Sequence, residues 1–192
     1  MLKQKRVIEL LPFIAKCING QGVLVGGTAL ALFHLTHRIS IDIDLAVEGD
    51  EVLLLRELKG CLSKAGFHTK TTAHKNVFTV HFQETAVRVE MFVPEIKIKQ
   101  PKDIVVSGAT LKIGSLEDLF EMKMLAYKQR KLSRDLFDLW SMLKVIKGIS
   151  KKFSDILSEN GLPADEIMEL SMMGVSDAEI KKFSEAIGNA SS

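Results

Sequence analysis

VLVGGTALALFHLTHRISIDIDLAV, residues 23–47, decides how the fold is read. Val23, Leu24 and Val25 form a short apolar run that stops at Gly26 and Gly27, the pattern of a strand entering a tight turn. Thr28 then stands where a hydroxyl caps a helix, and the apolar stretch ALALFHL follows it. From 39 to 47 the chain alternates, with Ile39, Ile41, Ile43 and Leu45 on one side and Ser40, Asp42 and Asp44 on the other. That period of two is a strand with one apolar and one polar face. Strand, glycine turn, helix and strand in succession define an α/β arrangement.

Working outward, residues 3–18 set Val7, Leu10, Leu11 and Ile14 at helical spacing, and Asn19 with Gly20 supplies a stop. Residues 50–64 read as an amphipathic helix ended by Ala65 and Gly66. Residues 76–82 and 85–93 read as strands, which Gln83 and Glu84 link into a hairpin. Pro94 and Pro101 bracket a lysine-rich connection, and short strands are expected at 104–106 and 109–113. The pattern then turns helical. Ser115 and Asp118 make a capping box that opens a helix to about residue 130, a second helix is expected over 133–147, and two shorter ones fill the tail. No internal repeat is visible. The expected organisation is an α/β core over residues 1–110 followed by a helical part over 111–192 that packs on it.

A chain of 192 residues suits one domain, or a core with a helical appendage, and its 46% hydrophobic and 26% charged composition excludes a disordered class. A net charge of +2 does not by itself announce nucleic acid, although Lys97, Lys99 and Lys102, and then Lys123, Lys128, Arg130, Lys131 and Arg134, form basic clusters. Cys17 and Cys61 lie far apart in sequence with no CxxC context, and both are read as buried small apolar residues without zinc or redox chemistry. Glu9 and Lys16 interrupt the apolar run of the N-terminus, which argues against a signal peptide, and no run approaches the roughly 20 apolar residues of a membrane span. The expectation is a cytoplasmic protein with no membrane partner.

The chemistry concentrates at the acidic strand. Asp42 and Asp44 leave the same strand face with their bases about 7 Å apart, where two negative charges repel unless a divalent cation neutralises them. Hard carboxylate oxygens of this kind suit Mg²⁺ bridging nucleotide phosphates, although an isolated acidic pair is also what a solvated strand face carries. Gly26, Gly27 and Thr28 at a strand-to-helix junction let backbone N–H groups approach an anion; alone they read better as a tight turn with a cap. An anion cradle and an acidic pair within one strand–helix–strand unit make phosphate chemistry the better account of both. Arg38 is available to contact phosphate or to pair with Asp42 or Asp44, while His37 reads as a helix-end residue. Glu90 shares a strand face with Arg88, either as a third carboxylate completing a two-metal site or acting as general base, or as an ion-pair partner on an exposed face. In the helical part, Lys123 falls inside the apolar stripe of Leu116, Leu119, Phe120 and Tyr127. Asp135 falls among Leu132, Leu139, Met142, Leu143 and Ile146, with Asp138 at the edge. Buried charges need partners, so these two either bridge the helices or serve a site, with Lys123 on nucleotide phosphates.

Gly26-Gly27-Thr28, then His37-Arg38-x-Ser40-x-Asp42-x-Asp44, resembles the first motif of the AbiEii/AbiGii-type nucleotidyltransferases of the polymerase-beta-like superfamily. Leu116-Glu117-Asp118-Leu119 with Lys123, and Arg130 with Arg134-Asp135-Leu136-Phe137-Asp138-Leu139, resemble the family's later motifs, so that the likeness covers about residues 22–145. Arg134 departs from the family's usual lysine, and Glu90 stands where relatives often carry aspartate. The resemblance implies a mixed sheet flanked by helices and transfer of a nucleoside monophosphate from an NTP to an acceptor hydroxyl. Mg²⁺, or Mn²⁺ in its place, is expected on Asp42, Asp44 and Glu90; nucleotide on Gly26, Gly27, Thr28, Arg38, Ser40 and Lys123; and catalytic roles for Lys123 and Asp135. It also implies RNA, with tRNA favoured, or a protein as acceptor, and an antitoxin as partner of a toxin. Rival readings are a catalytically silent nucleotide-binding or antitoxin-type module, and an NTP-dependent kinase.

Overall fold

The computed structural model describes residues 2–190. Helix α1 (Leu2–Ile18) leads to strand β1 (Gly22–Val25), a single helical turn α2 (Gly26–Ala29) that widens into a π-helical turn (Leu30–His34), strand β2 (Asp42–Val47) and helix α3 (Glu51–Lys64). Strands β3 (His68–Thr71), β4 (Val77–His81), β5 (Ala86–Phe92), β6 (Lys102–Val106) and β7 (Ala109–Ile113) follow. Helices α4 (Leu116–Arg130), α5 (Ser133–Leu143) and α6 (Phe153–Asn160), a 3-10 turn (Ile167–Met173) and helix α7 (Asp177–Ala190) complete the chain.

The strands form one seven-stranded sheet in the order β3-β4-β5-β2-β1-β7-β6. It is mixed: β2 runs parallel to β5 and β1 parallel to β7, while the remaining neighbours are antiparallel. Ile43 and Leu45 of β2, Val87, Val89 and Met91 of β5, and Phe78 and Val80 of β4 occupy the apolar face and are fully or nearly fully buried. Helices α1 and α3 pack against this half of the molecule and against each other. Asp50 caps α3 by accepting the Val52 and Leu53 N–H groups at 3.0 Å.

The chain divides into two compact units: Met1–Ala29 with Ser40–Ser115, and Leu30–Ile39 with Leu116–Ser192. The first holds the whole sheet. The second is helical, with Phe137 edge-on and Trp140 tilted against Phe183 at centroid distances of 5.2 and 5.3 Å, and the segment 30–39 is tied into it by the Ile39 N–H on the Met173 carbonyl at 2.7 Å.

Several expectations change. Strand β3 was not legible, because His-Thr-Lys-Thr places no buried apolar side chain on either face. Helix α5 stops at Leu143, short of residue 147, and the final helix is 14 residues long where shorter pieces are expected. Thr28 does not cap a helix that follows it; it lies inside the turn α2 and is fully buried. Cys17 and Cys61 are not independent buried thiols. They are half-buried and joined as a disulfide between α1 and α3, with Cα atoms 5.8 Å apart.

Candidate active site

In the sheet unit, the end of β1 and the start of β2 meet at the register Val25↔Asp44, so the glycine turn emerges beside the acidic strand. Gly26 holds φ +70, and a Cβ there would overlap the Asp44 carboxylate. A side chain at that position is therefore excluded twice, by backbone conformation and by the acid next to it. The opening N–H groups of a helix have no intrahelical acceptor, which leaves those of the turn beginning at Gly26 next to Asp44. The Thr28 hydroxyl is committed inside the protein: it bonds the Asp42 carbonyl by a short contact and the Ser40 hydroxyl at 3.0 Å. These bonds fix the approach to β2 from below the turn, and Ser40 is buried with Thr28.

Parallel pairing of β2 with β5 sets Asp42 opposite Arg88 and Asp44 opposite Glu90 on the polar face. The three carboxylates expected to share a metal are thus brought onto neighbouring strands. Glu90 is at present bound by Arg88 Nη2 at 2.7 Å and by Asn76 Nδ2 at 3.2 Å, and Arg88 also lies 4.0 Å from Asp44. Among the described residues no three His, Cys, Asp or Glu side chains are gathered as a metal cluster. The donor chemistry nevertheless fits a hard divalent cation: two adjacent half-exposed carboxylates on one face, with space kept open by a glycine where a Cβ would intrude.

The helical unit contains a separate ionic network. Lys123 is 7% exposed and its Nζ lies 2.7 Å from Asp135 and 2.6 Å from Asp138. Asp138 also receives Arg38 through Nε at 2.6 Å and Nη2 at 2.8 Å, and His37 Nε2 lies 2.6 Å from it. Asp135 receives Arg130 through Nε at 2.6 Å and Nη2 at 2.9 Å. Burial on its own would raise both carboxyls; Lys123 with Arg130 outweighs it at Asp135, and Arg38 with Lys123 outweighs it at Asp138, holding the latter well below the usual carboxylate range. Arg38 is accordingly paired with Asp138, and His37 is a member of this network and not only a helix end. Asp138 is the residue sequence reasoning undervalued. Its position at the edge of the α5 stripe was the available signal, and its partners Arg38 and His37 lie 100 and 101 positions away.

This sheet with its glycine turn and acidic strand is the nucleotidyltransferase fold. It superposes on MenT4, a nucleotidyltransferase toxin from Mycobacterium tuberculosis, with TM-score 0.62 at 16% identity, covering 88% of this chain and 63% of that one. JHP933 from Helicobacter pylori matches with TM-score 0.58 at 19% identity, over 98% of this chain and 92% of that one. An antigenic nucleotidyltransferase-like protein from Paracoccidioides brasiliensis matches with TM-score 0.56 at 17% identity, over 93% and 92%. No curated protein sequence matches the chain. The model of the family described as nucleotidyl transferase AbiEii toxin of type IV toxin–antitoxin systems matches residues 19–161, and the chain belongs to that family. It is thereby a nucleotidyltransferase, as the motifs led one to expect. Among the described residues no helix is long and apolar enough to cross a membrane.

Proposed function

We infer that the protein transfers a nucleoside monophosphate from an NTP to an acceptor hydroxyl, with RNA, tRNA in particular, as the favoured acceptor and an antitoxin controlling it in the cytoplasm. The observation that carries the reading is the junction of Gly26 with Asp44: the first turn of a helix, with no side chain at Gly26, directly beside the acidic pair. Asp42 and Asp44 would hold Mg²⁺, or Mn²⁺, with Glu90 as a third donor. Bound there, the ion supplies charge neutralisation at the phosphates and lowers the pKa of the attacking hydroxyl. The backbone at Gly26 and Gly27 would receive the β- and γ-phosphates, with the Thr28–Ser40–Asp42 hydrogen bonds holding that backbone in place. The acceptor oxygen attacks the α-phosphorus in line, a new P–O bond forms, the bond to the β-phosphate oxygen breaks, and pyrophosphate leaves.

Within the helical unit Asp135 is read as the group that orients Lys123, since a doubly paired carboxyl of lowered pKa is a poor proton acceptor. Incubation with α-³²P-labelled NTPs, a divalent metal and total RNA tests the reading. Label should enter an acceptor with the intact protein and not with Asp42→Asn/Asp44→Asn, which should fold normally. Equal labelling by the double variant would remove the acidic pair from the chemistry, and release of nucleoside diphosphate in place of pyrophosphate would establish the kinase reading.

A further inference from the structure

The face that carries Asp42 and Asp44 continues past β5 to the edge of the sheet, and its character inverts on the way. Strand register connects Asp42 to Arg88, Arg88 to Thr79, and Thr79 to Lys70 in one row across four strands; the next row runs from Ala86 through His81 to His68. Residues paired in register share a face, so His68, Lys70, Thr79, His81 and Arg88 all stand on the side of the acidic pair. At roughly 4.8 Å per strand, Lys70 begins about 14 Å from Asp42. The opposite side of β3 is taken by α3, through Ser63 on Thr69 at 2.9 Å and Lys59 on Thr71 at 3.4 Å. His68 and Lys70 are exposed, and Thr79, His81 and Arg88 are partly so.

From Leu58 to Gln83 the chain has four lysines and three histidines and not one aspartate or glutamate; Glu57 and Glu84 bound the stretch. The crowding is felt locally: desolvation, then Lys70, then His68 push the pKa of His81 below its usual value, and the His68 and His81 rings stand 5.6 Å apart. Lysines on an exposed edge strand deter strand-to-strand pairing, but charge of either sign does that. On β3 and β4 that face carries basic and hydroxyl groups and no acid, while Arg88, between them and the acidic pair, is held by Glu90; the edge thus offers its charge to an anion.

We propose that this row, His68 and Lys70 on β3 with Thr79 and His81 on β4, is the docking track for the phosphate backbone of an RNA acceptor, leading its terminal hydroxyl toward Asp42 and Asp44. The proposal rests on the nucleotidyl-transfer reading above for the destination of the strand, and on register and charge for the track. Lys70 supplies the charge, and the His68 imidazole and the hydrogen-bonded Thr79–His81 pair line the row, groups that bind phosphate and sugar without reading sequence.

The test uses the full chain and a fluorescein-labelled single-stranded RNA 12-mer. His68→Glu/Lys70→Glu should weaken RNA binding by about tenfold or more and flatten the salt dependence, by about 0.7 in log–log slope for each phosphate the variant no longer neutralises. NTP affinity and thermal midpoint should be retained, and His68→Arg/Lys70→Arg should bind RNA at least as well as the natural protein. Unchanged RNA affinity in the charge-reversed variant overturns the track. Competition by polyglutamate of matched charge as effective as by RNA also overturns it, in favour of an acidic protein partner. RNA labelling that persists in that variant with the same KM for RNA sinks the track and leaves nucleotidyl transfer standing. RNA binding lost in the variant, in a protein whose natural form labels no RNA, overturns the track as the path of an acceptor and leaves an RNA-binding face alone.

Discussion

Gly26 bears two constraints that can be separated by experiment. Its φ of +70 asks for glycine, and the Asp44 carboxylate occupies the volume of a Cβ. Gly20 has a similar φ of +77 but nothing within 4 Å of a Cβ. Gly20→Ala should therefore cost only the backbone term, about 1–2 kcal/mol by chemical denaturation, with transfer unaffected. Gly26→Ala should cost more than that and abolish transfer, because the carboxylate must move. If the two substitutions behave alike, closeness to Asp44 has no role. At this scale the sequence was informative about Asp42, Asp44 and the glycines, whose meaning depends on neighbours in the chain. It was not informative about Arg38. A guanidinium two residues from Ser40 looks available to phosphate, yet Asp138, 100 positions on, binds it. Lys123 lay between: its place in an apolar stripe required an anion, and Asp135 on the adjoining helix was the expected one, whereas Asp138 as a second partner was not.

At the scale of elements, the disulfide ties α1 to α3, the two helices that cover the apolar side of the sheet. It closes a span of 44 residues, and a bond across such a loop stabilises by about 2–4 kcal/mol, chiefly by restricting the unfolded chain. Oxidised protein should show that difference from protein treated with dithiothreitol in denaturant midpoint, and Cys17→Ser should be indifferent to the reductant. No response from the intact protein would show that the bond does not form in solution. In a reducing cytoplasm the pair would stand as two thiols, so the tie would be conditional on redox state. Strand pairing explains which elements could be read. β2, β4 and β5 bury one face and so alternate, whereas β3 is an edge strand whose exposed and half-exposed residues carry no period of hydrophobicity.

Across the whole molecule, acid should act through the helical unit. The folded carboxyls of Asp135 and Asp138 have lowered pKa values, so in the unfolded chain, near 3.9, they bind protons more readily than in the native protein. Their contribution is complete above that value and is lost as pH falls below about 4 through the folded pKa, at up to about 1.4 kcal/mol per pH unit for each group. Unfolding free energies measured by circular dichroism from pH 6 to pH 2.5 should fall steeply below about pH 4. Asp138→Asn should be less stable at pH 6 and show a shallower decline; a decline identical to that of the natural protein would remove Asp138 from the acid response.

The sequence by itself determined the order of strands and helices through residue 130 with β3 excepted, the acidic pair, the glycine turn and the family, because each is written in contiguous residues whose periodicity or spacing carries its physics. Tertiary structure decided what contiguity cannot express. It joined Cys17 to Cys61 and set Glu90 beside Asp44 through a parallel register. It took the segment 30–39 out of the sheet unit to deliver Arg38 to Asp138, and it laid His68 and Lys70 on the face of Asp42. Each of these depends on pairing between chain segments far apart in sequence, where charge and hydrogen bonding are satisfied only after the sheet and the helices have closed.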